Sequence, residues 1–224
     1  MRRFWQRPSP RSPGRRGRMN GTLIGTQGAL RKLQLGCLDQ PLPGWINTDI
    51  TPHIFISRVP GLPPVLCALG LITEQRRQQH KTGIFRRVRY LDVRRIFPFT
   101  ADSFDYVYCS HMLEHLYPQH AEFCLGEVHR VLKRGAVARI AVPDLDEVIG
   151  GYDPLNPDDF LESFFEASEP RAKNRHHWHY NEVSLCGLLE RAGFSKITRC
   201  KAGACREVSL VETRLASLVM EAVK

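Results

Sequence analysis

From Arg31 onward the chain falls into short blocks of alternating character, most of them apolar runs bounded by Gly, Pro or Asp. Lys32 to Cys37 (KLQLGC) runs into a glycine turn and predicts a strand, and Trp45 to Ile50 (WINTDI), behind the turn signal Pro43-Gly44, predicts a second. Val88 to Val93 (VRYLDV) and Ser103 to Ser110 (SFDYVYCS) predict a third and fourth. The fourth is nearly continuous in apolarity, as strands buried on both faces of a parallel sheet are. From Pro118 to Arg134, Ala121, Leu125, Val128 and Leu132 recur at helical spacing and Gly135 supplies a stop. A fifth strand follows at Ala138 to Val142 (ARIAV), ending at Pro143-Asp144. A second amphipathic helix spans Glu182 to Ala192, with Asn181 as N-cap and Gly193 as stop. Ser195 to Lys201 and Ser217 to Val223 give the last two strands.

Two stretches break the rhythm. Thr51 to Gly83 carries Pro52, Pro60, Pro63 and Pro64 and closes on the polar run TEQRRQQHK, so an irregular insertion with one short helix is expected. Asp153 to Pro170 is acidic and proline-broken. The whole predicts an α/β fold over 31–224, a mainly parallel sheet with an antiparallel edge, interrupted by insertions at about 51–83 and 152–181.

Composition adds to this picture mainly at the start of the chain. With 224 residues, 42% hydrophobic and 25% charged, the chain has the length and apolar content for one substantial core. Its formal charge of +9 includes seven arginines between Met1 and Arg18 with no acid among them, which leaves +2 for the rest. The folded part is thus nearly neutral, against a phosphate-binding surface. Residues 1–30 are expected as a basic, disordered tail and lead-in, since Arg, Pro, Ser and Gly offer nothing to offset ordering entropy. Met19, directly behind the arginines, is an alternative start of translation. No window of 18 uninterrupted apolar residues occurs and no apolar stretch follows the arginine-rich start, so neither a membrane span nor a secretory signal is expected and the setting read is cytoplasmic. Seven cysteines without a CxxC fit reduced thiols.

In open α/β sheets ligands bind beyond the carboxyl ends of the strands, where the strand order reverses. The residues at those ends are Gly36 and Cys37, Asp49, Asp92 and Val93, and Ser110 with His111. Gly36 lets a ligand approach the backbone. Asp49 suits a ribose diol, whose vicinal hydroxyls match the two carboxylate oxygens, or else serves as a turn or cap residue. Asp92 either accepts from an adenine amine or pairs with Arg94 or Arg95 in a turn.

Taken together, LQLGC (33–37), PGWINTDI (43–50), YLDVRRIFPFTADSFDYVYCSHMLEHL (90–116), EVHRVLKRGAVARIAVPDL (127–145) and LLERAGF (188–194) resemble a class I S-adenosylmethionine-dependent methyltransferase. The likeness is to the small type 11-like enzymes associated with surface polysaccharide synthesis. The resemblance implies a Rossmann-like, seven-stranded sheet with an antiparallel C-terminal strand and S-adenosylmethionine as cofactor. It implies that Gly36 faces the methionine moiety, Asp49 the ribose and Asp92 with Val93 the adenine. Ser110 and His111 would line the pocket, with His111 to Leu116 opening the next helix. Transfer would go to a small-molecule or glycan-linked acceptor, at oxygen, with the enzyme aligning the nucleophile and a base taking its proton.

This chain departs from the pattern at Leu38, where the second glycine of Gly-x-Gly usually stands, and at Arg134-Gly135-Ala136 in place of Pro-Gly-Gly. A leucine there puts a side chain in the space of the cofactor's amino-acid end. The alternative reading is a catalytically silent module with a closed cofactor site; methylation of nucleic acid, with the arginine tail on phosphates, is a weaker one. His111-Met112-Leu113-Glu114-His115 matches the inverted zinc motif HxxEH, but a helix behind a buried strand is the wrong setting for a metallopeptidase, and no metal is expected. Candidate bases are His111, His115 and the cluster from Asn174 to Tyr180, in which His177 and His179 are not separable by sequence.

Overall fold

The computed structural model describes residues 30–165, 175–203, 205 and 217–224. The basic tail expected over the first eighteen residues, and the lead-in up to residue 29, lie outside the described residues. Seven strands form one sheet in the order β3-β2-β1-β4-β5-β7-β6: β1 Lys32–Leu35, β2 Ile46–Asp49, β3 Val88–Tyr90, β4 Phe104–Ser110, β5 Leu132–Pro143, β6 Ser195–Cys200 and β7 Ser217–Val223. β1 pairs in parallel with β2 and β4, β2 with β3, and β4 with β5. β7 runs antiparallel to both of its neighbours. The antiparallel strand is therefore inside the sheet rather than at its edge, and β6 forms that edge. Leu218, Val219, Met220 and Ala222 of β7 are accordingly all buried.

One face is covered by α4 (Pro118–Val131) and α7 (Glu182–Arg191). Ala121, Cys124, Leu125 and Val128 of α4 and Leu185, Leu188 and Leu189 of α7 meet Leu33, Leu35, Val107, Cys109, Ile140 and Val142 in the main core. Alternation along β4 sends Tyr106 and Tyr108 to the opposite face, where Trp45 packs edge-on to both. α7 starts on a reciprocal cap in which the Asn181 side chain accepts from Ser184 N while Ser184 Oγ accepts from Asn181 N.

The insertion 51–83 is more regular than its prolines suggest. It holds α1 (His53–Ile56), α2 (Leu62–Ala68) and α3 (Glu74–Lys81), then a 3-10 turn, Ile84–Arg87. Pro63 sits in the first turn of α2, where a missing N–H costs nothing. α3 is capped by Thr73, with Glu74 in its first turn and His80 and Lys81 in its last, so its charges run with the helix dipole. Beyond β5 lie α5 (Leu145–Gly150), opened by the cap Asp144, and α6 (Pro157–Phe165).

Two boundaries differ from the sequence reading. α4 stops at Val131 and Leu132 is already extended, so Gly135 is not a helix stop; it takes φ 76° inside β5, where the pairing with β4 slips between Phe104 and Tyr106. The stretch His111 to Leu116 does not open a helix either. His111 turns with φ 48°, Leu113–His115 make a 3-10 turn, and α4 begins only at Pro118.

Candidate active site

β1 goes to β2 and β3 on one side and the chain returns to β4 and β5 on the other, so the order reverses between β1 and β4. Gly36 follows β1 there, and Ser110 and His111 end β4 beside it. Gly36 has φ 64°, and a β-carbon placed on it would lie 2.5 Å from Met112 Cγ and 2.7 Å from Met112 Cβ. The close approach that the missing side chain permits is thus taken up, in this structure, by Met112.

Only Gly36 to Trp45 connect β1 to β2, without a helix. Side chains hold that short crossover. Asn47 Oδ1 and Gln34 Oε1 both accept from Leu42 N, at 2.9 and 3.1 Å, and Asn47 Nδ2 donates to Leu42 O and Trp45 O. Leu38 adopts φ 44°, the left-handed conformation a glycine would take freely. Its N–H donates to Asp49 Oδ2 at 2.8 Å, and Asp49 Oδ1 accepts from Thr51 N at 2.7 Å. Each Asp49 oxygen keeps a lone pair beyond these bonds, so the carboxylate suits a pair of hydroxyls as well as the turn. Cys37 beside it is buried, and burial together with the Asp49 charge pushes its thiol up to about 12, so it stays neutral.

Asp92 is buried at the end of β3 and held by Arg94, whose Nε and Nη2 donate to its two oxygens at 2.8 and 2.9 Å; Arg95 stands 3.6 Å away. The hydrogen bonds from Arg94 hold its carboxyl below the ordinary aspartate value. The pairing offered as the alternative role is therefore present, and Val93 next to it packs on the main core.

The histidines divide. His111 Nε2 lies 3.0 Å from Ser217 Oγ, and its Nδ1 lies 3.3 Å from Oε1 of Glu114, a fully buried carboxylate. His115 Nδ1 contacts Arg175 O at 3.2 Å, and its ring lies 5.1 Å from that of His176. His177 is exposed and stacks on Tyr117. His179 stacks on Phe164 with Nε2 on Phe164 O, and burial lowers its basicity. The backbone of 177–178 is pinned at the strand ends, since His177 N and Trp178 N both donate to Glu114 O. Asn174 lies outside the described residues.

Several site residues escaped sequence reasoning. Asp39 accepts from Arg76 Nη1 and Gln79 Nε2, both at 2.7 Å, and so ties α3 to the loop after β1. Met112, Ser217 and Glu114 also come to the site; Glu114 stood inside the HxxEH string, which was the one available signal.

A family model described as a methyltransferase domain matches residues 68–140. That span holds Asp92, Val93, Ser110 and His111 but neither Gly36 nor Asp49. Among solved structures, a SAM-dependent methyltransferase from Archaeoglobus fulgidus is similar at 16% identity and a TM-score of 0.51, over 88% of this chain and 87% of that one. One from Thermotoga maritima aligns at 14% identity and a TM-score of 0.49, over 87% and 82% of the two chains. One from Methanosarcina mazei aligns at 17% and 0.47, over 86% and 90%. At such identities the likeness concerns the fold alone. No curated protein matches the chain. Residues 68–140 thus match a methyltransferase domain, and the sheet shares its Rossmann-like fold with the Archaeoglobus protein. Among the described residues no helix is long and apolar enough to cross a membrane.

Proposed function

We propose that the protein transfers the methyl group of S-adenosylmethionine to a hydroxyl of a small-molecule or glycan-linked acceptor. The observation that carries this reading is the convergence of Gly36, Asp49 and the Ser110-His111 corner at the carboxyl ends of β1, β2 and β4, where the strand order reverses. The cofactor supplies an electrophilic methyl on a sulfonium sulfur. The donor set suits it: the Asp49 carboxylate takes the ribose hydroxyls, the Gly36-Cys37 backbone and Ser110 take the methionine end, and Asp92 beside Val93, with both oxygens already on Arg94, offers the adenine amine a remaining lone pair of Oδ2. Met112 shifts from Gly36 to admit it. Leu38, in a glycine-like conformation held by Asp49, turns the loop as the missing glycine would.

Of the candidate bases, His111 stands at the corner itself, while His177 and His179 are engaged with Tyr117 and Phe164. His111 Nε2, which lies 3.0 Å from Ser217 Oγ, takes the acceptor proton once the acceptor hydroxyl replaces that contact, and alignment of the hydroxyl with the methyl group supplies most of the rate. Support for a sugar-bearing acceptor comes from the exposed rings of Trp178 and Tyr117, the latter with one face taken by His177.

Calorimetric titration of S-adenosylhomocysteine into the chain tests the cofactor site. Micromolar binding is expected, weakened at least tenfold in Asp49→Asn, which keeps one acceptor oxygen for the loop while losing the charge. Folded protein that gives no heat refutes the reading in favour of a silent module, and unchanged affinity in Asp49→Asn refutes the ribose assignment.

A further inference from the structure

Burying a carboxylate without partners is expensive, because its hydration must be replaced by hydrogen bonds, an ion pair or a cation. Glu114 is fully buried, and neither of its oxygens accepts a hydrogen bond among the described residues. His111 Nδ1 approaches at 3.3 Å, an ion-pair distance that lacks hydrogen-bond geometry. On its other side stands His176, buried as well, with Nε2 at 4.0 Å from Glu114 Oε1. His115 completes the group: one ligand atom each from Glu114, His115 and His176 lie within 4.8 Å of one another.

The geometry points to a divalent transition-metal site formed by Glu114, His115 and His176. Two imidazoles and one carboxylate are a donor set that Zn²⁺, Fe²⁺ and Co²⁺ accept, whereas Mg²⁺ and Ca²⁺ prefer oxygen alone. His115 is prepared for the role. Its Nδ1 lies 3.2 Å from the carbonyl of Arg175, so a proton on Nδ1 donates there and Nε2 is left as the ligand atom, the usual outer support of a metal-bound histidine. Metal–nitrogen bonds of about 2.0–2.1 Å place tetrahedral ligand atoms roughly 3.4 Å apart, so the group closes by about 1 Å on binding. His115, which is only half-buried, has room to turn for this.

Glu114 and His115 belong to the HxxEH string, but His176 takes the place of its first histidine. His111 and His115 do not share a helical face here, because the segment makes a 3-10 turn and not a helix, and the third ligand comes from the segment before α7. The setting is therefore a turn closed by a distant segment, and not the helix of a metallopeptidase. Three protein ligands leave at least one coordination position open, as catalytic rather than structural centres do. The site neighbours the corner that holds His111, yet it forms whether or not the cofactor reading holds.

The test uses the full chain, stripped with chelator and titrated with Co²⁺ while visible d–d absorption is followed and bound metal is counted by elemental analysis. One equivalent with nitrogen- and oxygen-type bands is expected, weakened roughly a hundredfold in Glu114→Gln and in His115→Ala. His129→Ala, on α4 away from the group, should bind as the parent does. His115 is half-buried, so its variant remains informative even if Glu114→Gln fails to fold. Absence of saturable binding, a thiolate-to-cobalt band in the near ultraviolet, or affinity unmoved in His115→Ala would overturn the site. Titration of S-adenosylhomocysteine into the same preparations reports on the cofactor reading separately, so the two fail independently.

Discussion

Replacing Gly36 with alanine isolates what the loop after β1 demands. Two costs add. An L residue at φ 64° pays about 1–2 kcal/mol for its left-handed backbone. The new methyl also enters a space already held by Met112, with Cγ and Cβ at 2.5 and 2.7 Å. Cγ can leave by a turn about χ1, but Cβ moves only with the backbone, and overpacking of this kind costs about 1–3 kcal/mol. Gly36→Ala should therefore lose about 2–5 kcal/mol in urea-induced unfolding, read from the shift in midpoint at unchanged slope. Adding Met112→Ala should recover only part, because that variant keeps the β-carbon at 2.7 Å. Leu38→Gly is the counterpart: it relieves the strain at φ 44° while losing a half-buried side chain and gaining unfolded-state entropy, so it should stay within about 1 kcal/mol of the parent. If Gly36→Ala unfolds within about 0.5 kcal/mol of the parent, the size of an ordinary surface substitution, the seating of Met112 on the glycine is wrong.

Two further outcomes follow from groups away from the loop. Glu127 accepts from Phe97 N at 2.7 Å and pairs with Arg130, which also donates to Phe97 O and Phe99 O, and the pairing lowers the Glu127 carboxyl below its ordinary value. A carboxyl depressed on folding stabilises above its unfolded value and loses that contribution as pH falls through the folded one. Arg130→Met should thus cost about 2–3 kcal/mol near neutrality, with the gap to the parent narrowing below about pH 4; a gap independent of pH in urea titrations would refute the pairing. Cys109 and Cys124 are buried, with the Cys124 thiol raised to about 12, so a thiol reagent applied to native protein should modify the partly exposed Cys67 and Cys186 while sparing these two; mass mapping that finds Cys124 labelled first would contradict the burial.

The sheet was legible in the sequence because its strands are short apolar runs with turn residues at both ends. The strand ending at Ser110 and the one from Ser217 to Val223 fall where the pattern puts them. The insertion 51–83 was not, for two reasons. Pro63 reads as a breaker in isolation yet occupies the one part of a helix that tolerates it, and α3 buries only His80, so it has no apolar stripe to find. Gly135 misled similarly, since a left-handed glycine ends a helix or makes a bulge equally well, and only the pairing partner decides. At the site, residues at strand ends were readable from topology, whereas Asp39 with Arg76, or Glu114 with His176, are meetings of distant segments that local pattern does not encode.

The interior position of β7 constrains how the molecule is made. Strands β1 to β5 leave the ribosome in an order that lets them pair as they appear, but the flank of β5 from Val137 to Pro143 waits for Ser217–Val223. β6, made earlier, joins the sheet only through that same strand. Until β7 arrives, a nascent chain presents an open, apolar strand edge alongside a detached ribbon, the two features that invite pairing with other chains. Completion is therefore a late, long-range event, and β7 acts as the keystone that holds both β5 and β6 in the sheet.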